Sequence, residues 1–168
     1  PKDEKAVYFT PENFPITNDG KTDVTASLQK AINDLKQSQN MGIVFIPEGD
    51  YLISGTVYIP KSIRVIGYGN KRPVFTLAKN SPGFQEENPD DKGKAKYMFW
   101  FVDRAVTDTD NVRDAGPGTF YSCMSNIDIV ISDGNPAAVA FRTHYAQHSF
   151  LSHIRVNIGK GKAAIFDA

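Results

Sequence analysis

Between Phe14 and Asn70 the apolar runs are so short and so closely spaced that no crossover helix fits between them. Ile43-Val44-Phe45-Ile46, Tyr51-Leu52-Ile53, Thr56-Val57-Tyr58-Ile59 and Ile63-Arg64-Val65-Ile66 are β-branched or aromatic, as strands prefer. Pro47-Glu48-Gly49-Asp50, Ser54-Gly55, Pro60-Lys61-Ser62 and Gly67-Tyr68-Gly69 separate them with turn residues. Each run is too short for a buried helix, and the tight connections exclude a doubly wound α/β sheet. Hairpins or coiled parallel rungs remain. One helix precedes the strands. Leu28, Ala31, Ile32 and Leu35 recur at i, i+3, i+4 and i+7, which predicts a helix over about 25–38 with Thr25 as its N-cap.

The second half of the chain repeats itself. Ser125-Asn126-Ile127-Asp128-Ile129-Val130-Ile131 returns as Ser152-His153-Ile154-Arg155-Val156-Asn157-Ile158 at an offset of 27, and Ala137-Ala138-Val139 returns as Ala163-Ala164-Ile165 at an offset of 26. Two strands recurring at nearly one interval are what a coil of a solenoid produces. Ile127, Ile129 and Ile131 are then expected to stack inside on Ile154, Val156 and Ile158, with Asn126, Asp128, His153, Arg155 and Asn157 outside. Two polar stretches, about 78–96 and 103–118, read as insertions flanking the rungs, where they would form walls of a groove. Asp103, Asp108, Asp110 and Asp114 lack the spacing of a calcium loop.

Asn18-Asp19-Gly20-Lys21-Thr22-Asp23-Val24-Thr25, then Leu28-Gln29-Lys30-Ala31-Ile32, Val44-Phe45-Ile46-Pro47-Glu48-Gly49-Asp50-Tyr51 and Ile66-Gly67-Tyr68-Gly69 together resemble the opening of the pectate-lyase-like β-helix superfamily. Val24 stands where that pattern usually has a second Asp. The resemblance implies an all-β fold, a right-handed parallel β-helix with an N-terminal capping α-helix. It further implies that residues 1–168 are the N-terminal part of one such domain, completed by the remainder of the same protein or by a second chain, and that the protein is secreted, periplasmic or cell-surface. The last residues, Ile165-Phe166-Asp167-Ala168, fall within a repeated strand and fit that expectation of an incomplete solenoid.

At 168 residues the chain suits about one domain with a sizeable core. Lys plus Arg and Asp plus Glu are 19 each, so no global basic field is available and nucleic acid is not an expected partner. No apolar stretch approaches the roughly 18 residues of a membrane span, and Pro1-Lys2-Asp3-Glu4-Lys5 contains no signal-type apolar core. The single cysteine, Cys123, excludes an internal disulfide and reads as a small buried hydrophobe.

All three histidines fall in Phe141-Arg142-Thr143-His144-Tyr145-Ala146-Gln147-His148-Ser149-Phe150-Leu151-Ser152-His153. His144 and His148 are four apart without an intervening Glu of the metalloprotease type, in a strand-and-turn context, so no metal is expected. A polar row of Arg142, His144, Gln147, His148 and His153, with Tyr145 and Tyr121 for ring stacking, suits the hydroxyls and faces of a polysaccharide or oligosaccharide. The same groups could instead serve turn backbones.

Thr119-Phe120-Tyr121-Ser122, Ile127-Asp128-Ile129 and Ala140-Phe141-Arg142-Thr143-His144-Tyr145-Ala146-Gln147-His148-Ser149 resemble the first β-helix of family-55 glycoside hydrolases, the exo-β-1,3-glucanase group. That resemblance implies a glycoside hydrolase acting on a β-glucan, with Gln147 lining the cleft, no cofactor, and a catalytic acid lying outside this chain. Polysaccharide lyase activity on a uronic-acid polymer and a non-catalytic spike or adhesin are the alternatives, and Arg142 with His144 would be the lyase pair.

Overall fold

The computed structural model describes residues 3–87 and 96–166, so part of the first predicted insertion, 88–95, lies outside the described residues. The elements are β1 (Val7–Tyr8), β2 (Asp19–Asp23), α1 (Thr25–Gln39), β3 (Gly42–Pro47), β4 (Asp50–Ile53), β5 (Val57–Pro60) and β6 (Ile63–Tyr68). They continue as β7 (Val74–Leu77), β8 (Tyr97–Val102), β9 (Cys123–Ile131), β10 (Val139–Arg142), β11 (Phe150–Asn157) and β12 (Ala163–Ile165).

Every pairing between these strands is parallel. A large curled sheet runs β1-β3-β6-β9-β7-β4-β2 with β11 added on β9, and a smaller one runs β12-β10-β8-β5. This is a mostly β chain of stacked parallel strands with one helix, consistent with a β-helix. The hairpin alternative falls, because successive strands pair with the next coil and not with each other.

The strand β9 makes the large sheet curl. Its first residues, Cys123 to Ser125, pair with Arg64 to Ile66 of β6, and its last, Asp128 to Ile131, pair with Val74 to Leu77 of β7. Between these halves Asn126 turns the chain at φ 60°, and one coil later His153 does so at φ 51°. Asn and His tolerate this left-handed region better than most residues. The corner packs against Gly67: Asn126 Nδ2 donates to the Gly67 carbonyl at 2.8 Å, and a Cβ on Gly67 would lie 2.0 Å from the Asn126 carbonyl oxygen.

The repeat at 27 is present in the register: Ile127 pairs with Ile154 and Val156 with Ile129, and the hydroxyls of Ser125 and Ser152 meet at 2.7 Å. Asp128 lies outside as expected, in an ion pair with Arg72 at 3.0 Å. The second expected repeat needs correction. Val139 pairs with Ala163 and Phe141 with Ile165, an offset of 24. The turn Gly159 to Lys162 is tighter than its counterpart one coil earlier, which shifts the following strand relative to the alanine match.

Inside, Tyr51, Phe75, Phe99 and Phe141 form a column of rings with centroids 5.1 to 5.8 Å apart. Leu28, Ala31, Ile32 and Leu35 add the apolar face of α1 to the same core. Thr25 is not the N-cap. Val24, fully buried, holds that position without a side-chain cap bond, and Asp23 Oδ1 accepts from the Thr25 N–H at 2.9 Å. Thr25 Oγ1 is engaged elsewhere, accepting from Ser54 N at 2.9 Å.

The helix also serves an open strand edge. Gln29 Oε1 accepts from Tyr58 N at 2.7 Å and Gln29 Nε2 donates to the Tyr58 carbonyl at 3.0 Å, so one primary amide gives β5 the two bonds a neighbouring strand would give. Truncation leaves both backbone groups short of a partner in a part-buried setting. Gln29→Ala is expected to destabilise the protein by about 1–3 kcal/mol, read as a lower denaturant midpoint; Gln29→Glu, which keeps the acceptor and loses the donor, should recover only part of it.

Candidate functional site

The outward residues of the smaller sheet stack in register: Tyr58 of β5 opposes Trp100 of β8, which opposes Arg142 of β10. Tyr58 and Trp100, with Tyr97, Val102 and Val139, form a second apolar layer outside the main core, and the Arg142 guanidinium lies against its rings. The stretch 103–118 covers it. The chain leaves β8, brings Val106 down into this layer, and returns antiparallel beside Val102, with Asp103 N bonded to the Arg113 carbonyl at 3.0 Å. Asn33 of α1 donates to the Val106 carbonyl at 3.0 Å. This predicted insertion is therefore packed across the sheet, where a wall of an open groove was expected.

Its return strand delivers Asp114 to the centre of a polar cluster. Arg142 Nη2 donates to Asp114 Oδ2 at 2.7 Å, and Arg142 Nε lies 3.0 and 3.1 Å from the two carboxylate oxygens. Trp100 Nε1 donates to Oδ1 at 2.7 Å. Arg142 is 4% exposed, its guanidinium 5.5 and 5.6 Å from the ring centroids of Tyr97 and Trp100. A planar guanidinium suits such a sandwich between aromatic faces and a bidentate acid. Burial pushes the Asp114 carboxyl up, but the hydrogen bonds from Arg142 and Trp100, with the charges of Arg142 and His144, outweigh it and hold the group below the usual range. Burial works against the Arg142 charge, and the bonds to Asp114 and Tyr97 overcome it, leaving the guanidinium firmly protonated.

His144 Nδ1 lies 3.1 Å from Asp114 Oδ2 and 3.4 Å from Arg142 Nη2. A guanidinium only donates and a carboxylate only accepts, so the shorter, charge-assisted contact assigns the Nδ1 proton to a bond with Asp114. In the neutral ring Nε2 is then the basic nitrogen. The arrangement is a carboxylate-oriented imidazole on a partly exposed ring.

The structure joins Arg142 and His144 and distributes the other candidates. Gln147 is exposed in the turn before β11 and makes no hydrogen bond among the described residues. His148 stacks on Tyr121, centroids 5.2 Å apart with the planes 13° from parallel. The Tyr145 ring meets the edge of Phe101 at 5.0 Å against the main core, and burial raises its hydroxyl pKa. His153 forms the corner of β11, its carbonyl accepting from Arg72 at 3.1 Å. Cys123 is buried, and burial pushes its thiol up to about 11, as a packing residue requires. Among the described residues no three His, Cys, Asp or Glu side chains gather as metal ligands would.

A family profile described as rhamnogalacturonase A/epimerase, pectate lyase-like matches residues 12–166. The chain belongs to this family. No curated protein matches it significantly. Among solved structures it is similar to a protein of Geobacillus virus E2, ORF18, at 23% identity and TM-score 0.51 over 81% of this chain and 22% of that one. It is also similar to the iota-carrageenase of family GH82 from A. fortis, at 14% identity and TM-score 0.50 over 98% of this chain and 40% of that one. Both likenesses concern the fold, and the chain spans well under half the length of either protein.

Within this pectate-lyase-like chain, Asp114, Trp100 and Tyr97 are the members of the cluster that sequence reasoning missed. Asp114 sits among four unpatterned Asp residues, and Trp100 and Arg142 are adjacent only through a register that spans the intervening loop.

Asp114→Asn leaves the buried Arg142 without its counter-charge and should cost about 3 kcal/mol at neutral pH. The folded-state pKa of Asp114 is depressed, so its contribution is present above the unfolded value and is lost as pH falls through the folded one. The gap between wild type and Asp114→Asn should therefore be full at pH 7 and narrow progressively below about pH 4, measured by urea unfolding across that range.

Proposed function

We propose that this chain is the N-terminal part of a right-handed parallel β-helix, closed at its start by α1, in a carbohydrate-active enzyme that hydrolyses a polysaccharide. The observation that carries the reading is the family match over residues 12–166, on a chain whose strands stack in parallel coils. The greater lengths of both structural neighbours support further coils or a second chain as partner.

Hydrolysis needs a proton donor. Asp114 is a poor one, since Arg142 and Trp100 stabilise its ionised form. The resemblance to family-55 hydrolases puts the acid outside this chain, and His144, oriented by Asp114, and Gln147 are assigned to positioning the sugar or the attacking water. A β-glucan is the substrate favoured by the resemblance to family-55 hydrolases. A lyase would need a base beside the sugar's C5 and a cation to neutralise the adjoining carboxylate. Arg142 does not suit that task, because it is buried and already bonded to Asp114.

The test is turnover by the full-length protein on neutral β-glucans and uronic-acid polymers, following reducing ends and the absorbance of unsaturated sugars. Reducing ends without absorbance are expected; absorbance would reassign the chain to the lyases, and no turnover by folded protein on either panel would reject both. Gln147→Ala should leave the melting temperature unchanged, since the side chain is exposed and unbonded. If it holds the attacking water, kcat/KM should fall by the equivalent of about 2–4 kcal/mol.

A further inference from the structure

The corner that precedes β6, β9 and β11 carries a feature the cluster around Asp114 does not use. Ser62, Tyr121 and His148 occupy equivalent places in successive coils, each two residues before the paired positions Arg64, Cys123 and Phe150, and all three are left-handed, at φ 65°, 61° and 59°. Gly, Asn or His holds this backbone at modest cost, whereas a Tyr rarely does. Two of the three places hold stacked aromatic rings, and Tyr121 is 45% exposed. Backbone strain retained at Tyr121, whose ring faces solvent, points to a task on the surface.

Below Tyr121 lies a cavity of about 380 Å³ lined by Met41, Gly42, Ile43, Ser62, Arg64 and Tyr121. Met41 is 61% exposed, and Phe150, next to Cys123 in the outward column, is 44% exposed. Arg64 makes no ion pair among the described residues; its Nε donates to the Tyr121 carbonyl at 3.4 Å. Two further cations gather here. Lys36 Nζ donates to the carbonyls of Asn40 and Lys61, and Lys61 Nζ lies 5.7 Å from the Phe120 ring centroid. Asp103, a carboxylate near Lys36, is paired with Arg113 at 3.3 Å.

We propose that this corner is an auxiliary binding platform for an anionic glycan, separate from the cluster around Asp114: Tyr121, backed by His148, stacks on a sugar ring while Arg64 receives that sugar's carboxylate. The apolar faces of sugar rings match an exposed aromatic, and an unpaired guanidinium matches a carboxylate in charge and bidentate geometry. The proposal rests on the reading of this chain as carbohydrate-active and adds to it a separate site for a charged glycan, distinct from the neutral β-glucan favoured as substrate.

The test is calorimetric titration of the full-length protein with trigalacturonate and with maltotriose as a neutral control, at low and high salt. Wild type is expected to bind trigalacturonate more tightly, with the preference shrinking as salt screens Arg64. Arg64→Gln should weaken trigalacturonate about tenfold and leave maltotriose within about twofold. Tyr121→Asn should weaken both about tenfold while the melting temperature holds or rises, because Asn relieves the left-handed strain.

Failure of wild type to bind trigalacturonate, or affinities within about twofold of wild type in both variants, would overturn the platform. So would a lower melting temperature for Tyr121→Asn, which would make the ring structural, or a changed particle mass by light scattering in place of changed sugar binding, which would make the face a self-interface. Turnover of polymer with Tyr121 uninvolved would leave the enzymatic reading standing without the platform, and binding without turnover would do the reverse.

Discussion

The structure depends on parallel registration between coils, and that registration hinges on the left-handed corner at Asn126. A straight β9 could pair with one strand of the preceding coil only. By turning at a single residue it pairs with β6 and then with β7, which joins the two limbs of the large sheet into one curled surface. Gly67 makes the corner possible, because any side chain there would occupy the space of the Asn126 carbonyl. His153 repeats the corner one coil later, so β11 follows β9 over its whole length. With register held in this way, Tyr51 lies on Phe75 and Phe99 on Phe141, and an edge-on contact between Phe75 and Phe99 joins the two stacks across the core.

Registration also leaves a problem at each sheet edge, where backbone groups lack a next strand. Here a side chain solves it at β5, since the Gln29 amide carries a donor and an acceptor spaced like those of a peptide group. The outer face of the same sheet presents Tyr58, Trp100 and Val102, too apolar to leave in water, and the 103–118 stretch covers them. Asp114 fastens that cover to Arg142 and Trp100. The same carboxylate that anchors the loop thereby orients His144, so packing of the outer layer and the imidazole's orientation rest on one group.

Much of the backbone was legible in the sequence. The helix face, the short strands and the interval of 27 follow from periodicity and spacing, which are local signals that burial enforces: Leu28, Ile32, Val44, Val65 and Ile127 are all fully buried. The misreadings arose where local identity and three-dimensional register part company. Alanines at 137–138 and 163–164 look equivalent, yet a shorter turn sets Ala163 beside Val139. Thr25 has the chemistry of an N-cap but spends its hydroxyl on Ser54, leaving Asp23 to meet its N–H. Arg142 and His144 stood out by residue type, whereas Asp114 did not, because its partners are assembled by a return of the loop that no spacing encodes.

That division has a physical basis in how a stacked fold distributes its polar groups. Strand faces are committed in advance: one side fills the interior and the other, on the smaller sheet, lies under a loop. Exposed polar and aromatic side chains are consequently found where coils turn, at 147–148 and at 121, and at 121 and 148 the backbone takes positive φ values. Tyr121 departs from the preference of such backbone for Gly or Asn and holds its ring, stacked on His148, at the cost of local strain. Stability would be better served by Gly or Asn in place of Tyr121, so if this corner meets a ligand as proposed, its stability and that capacity pull in opposite directions.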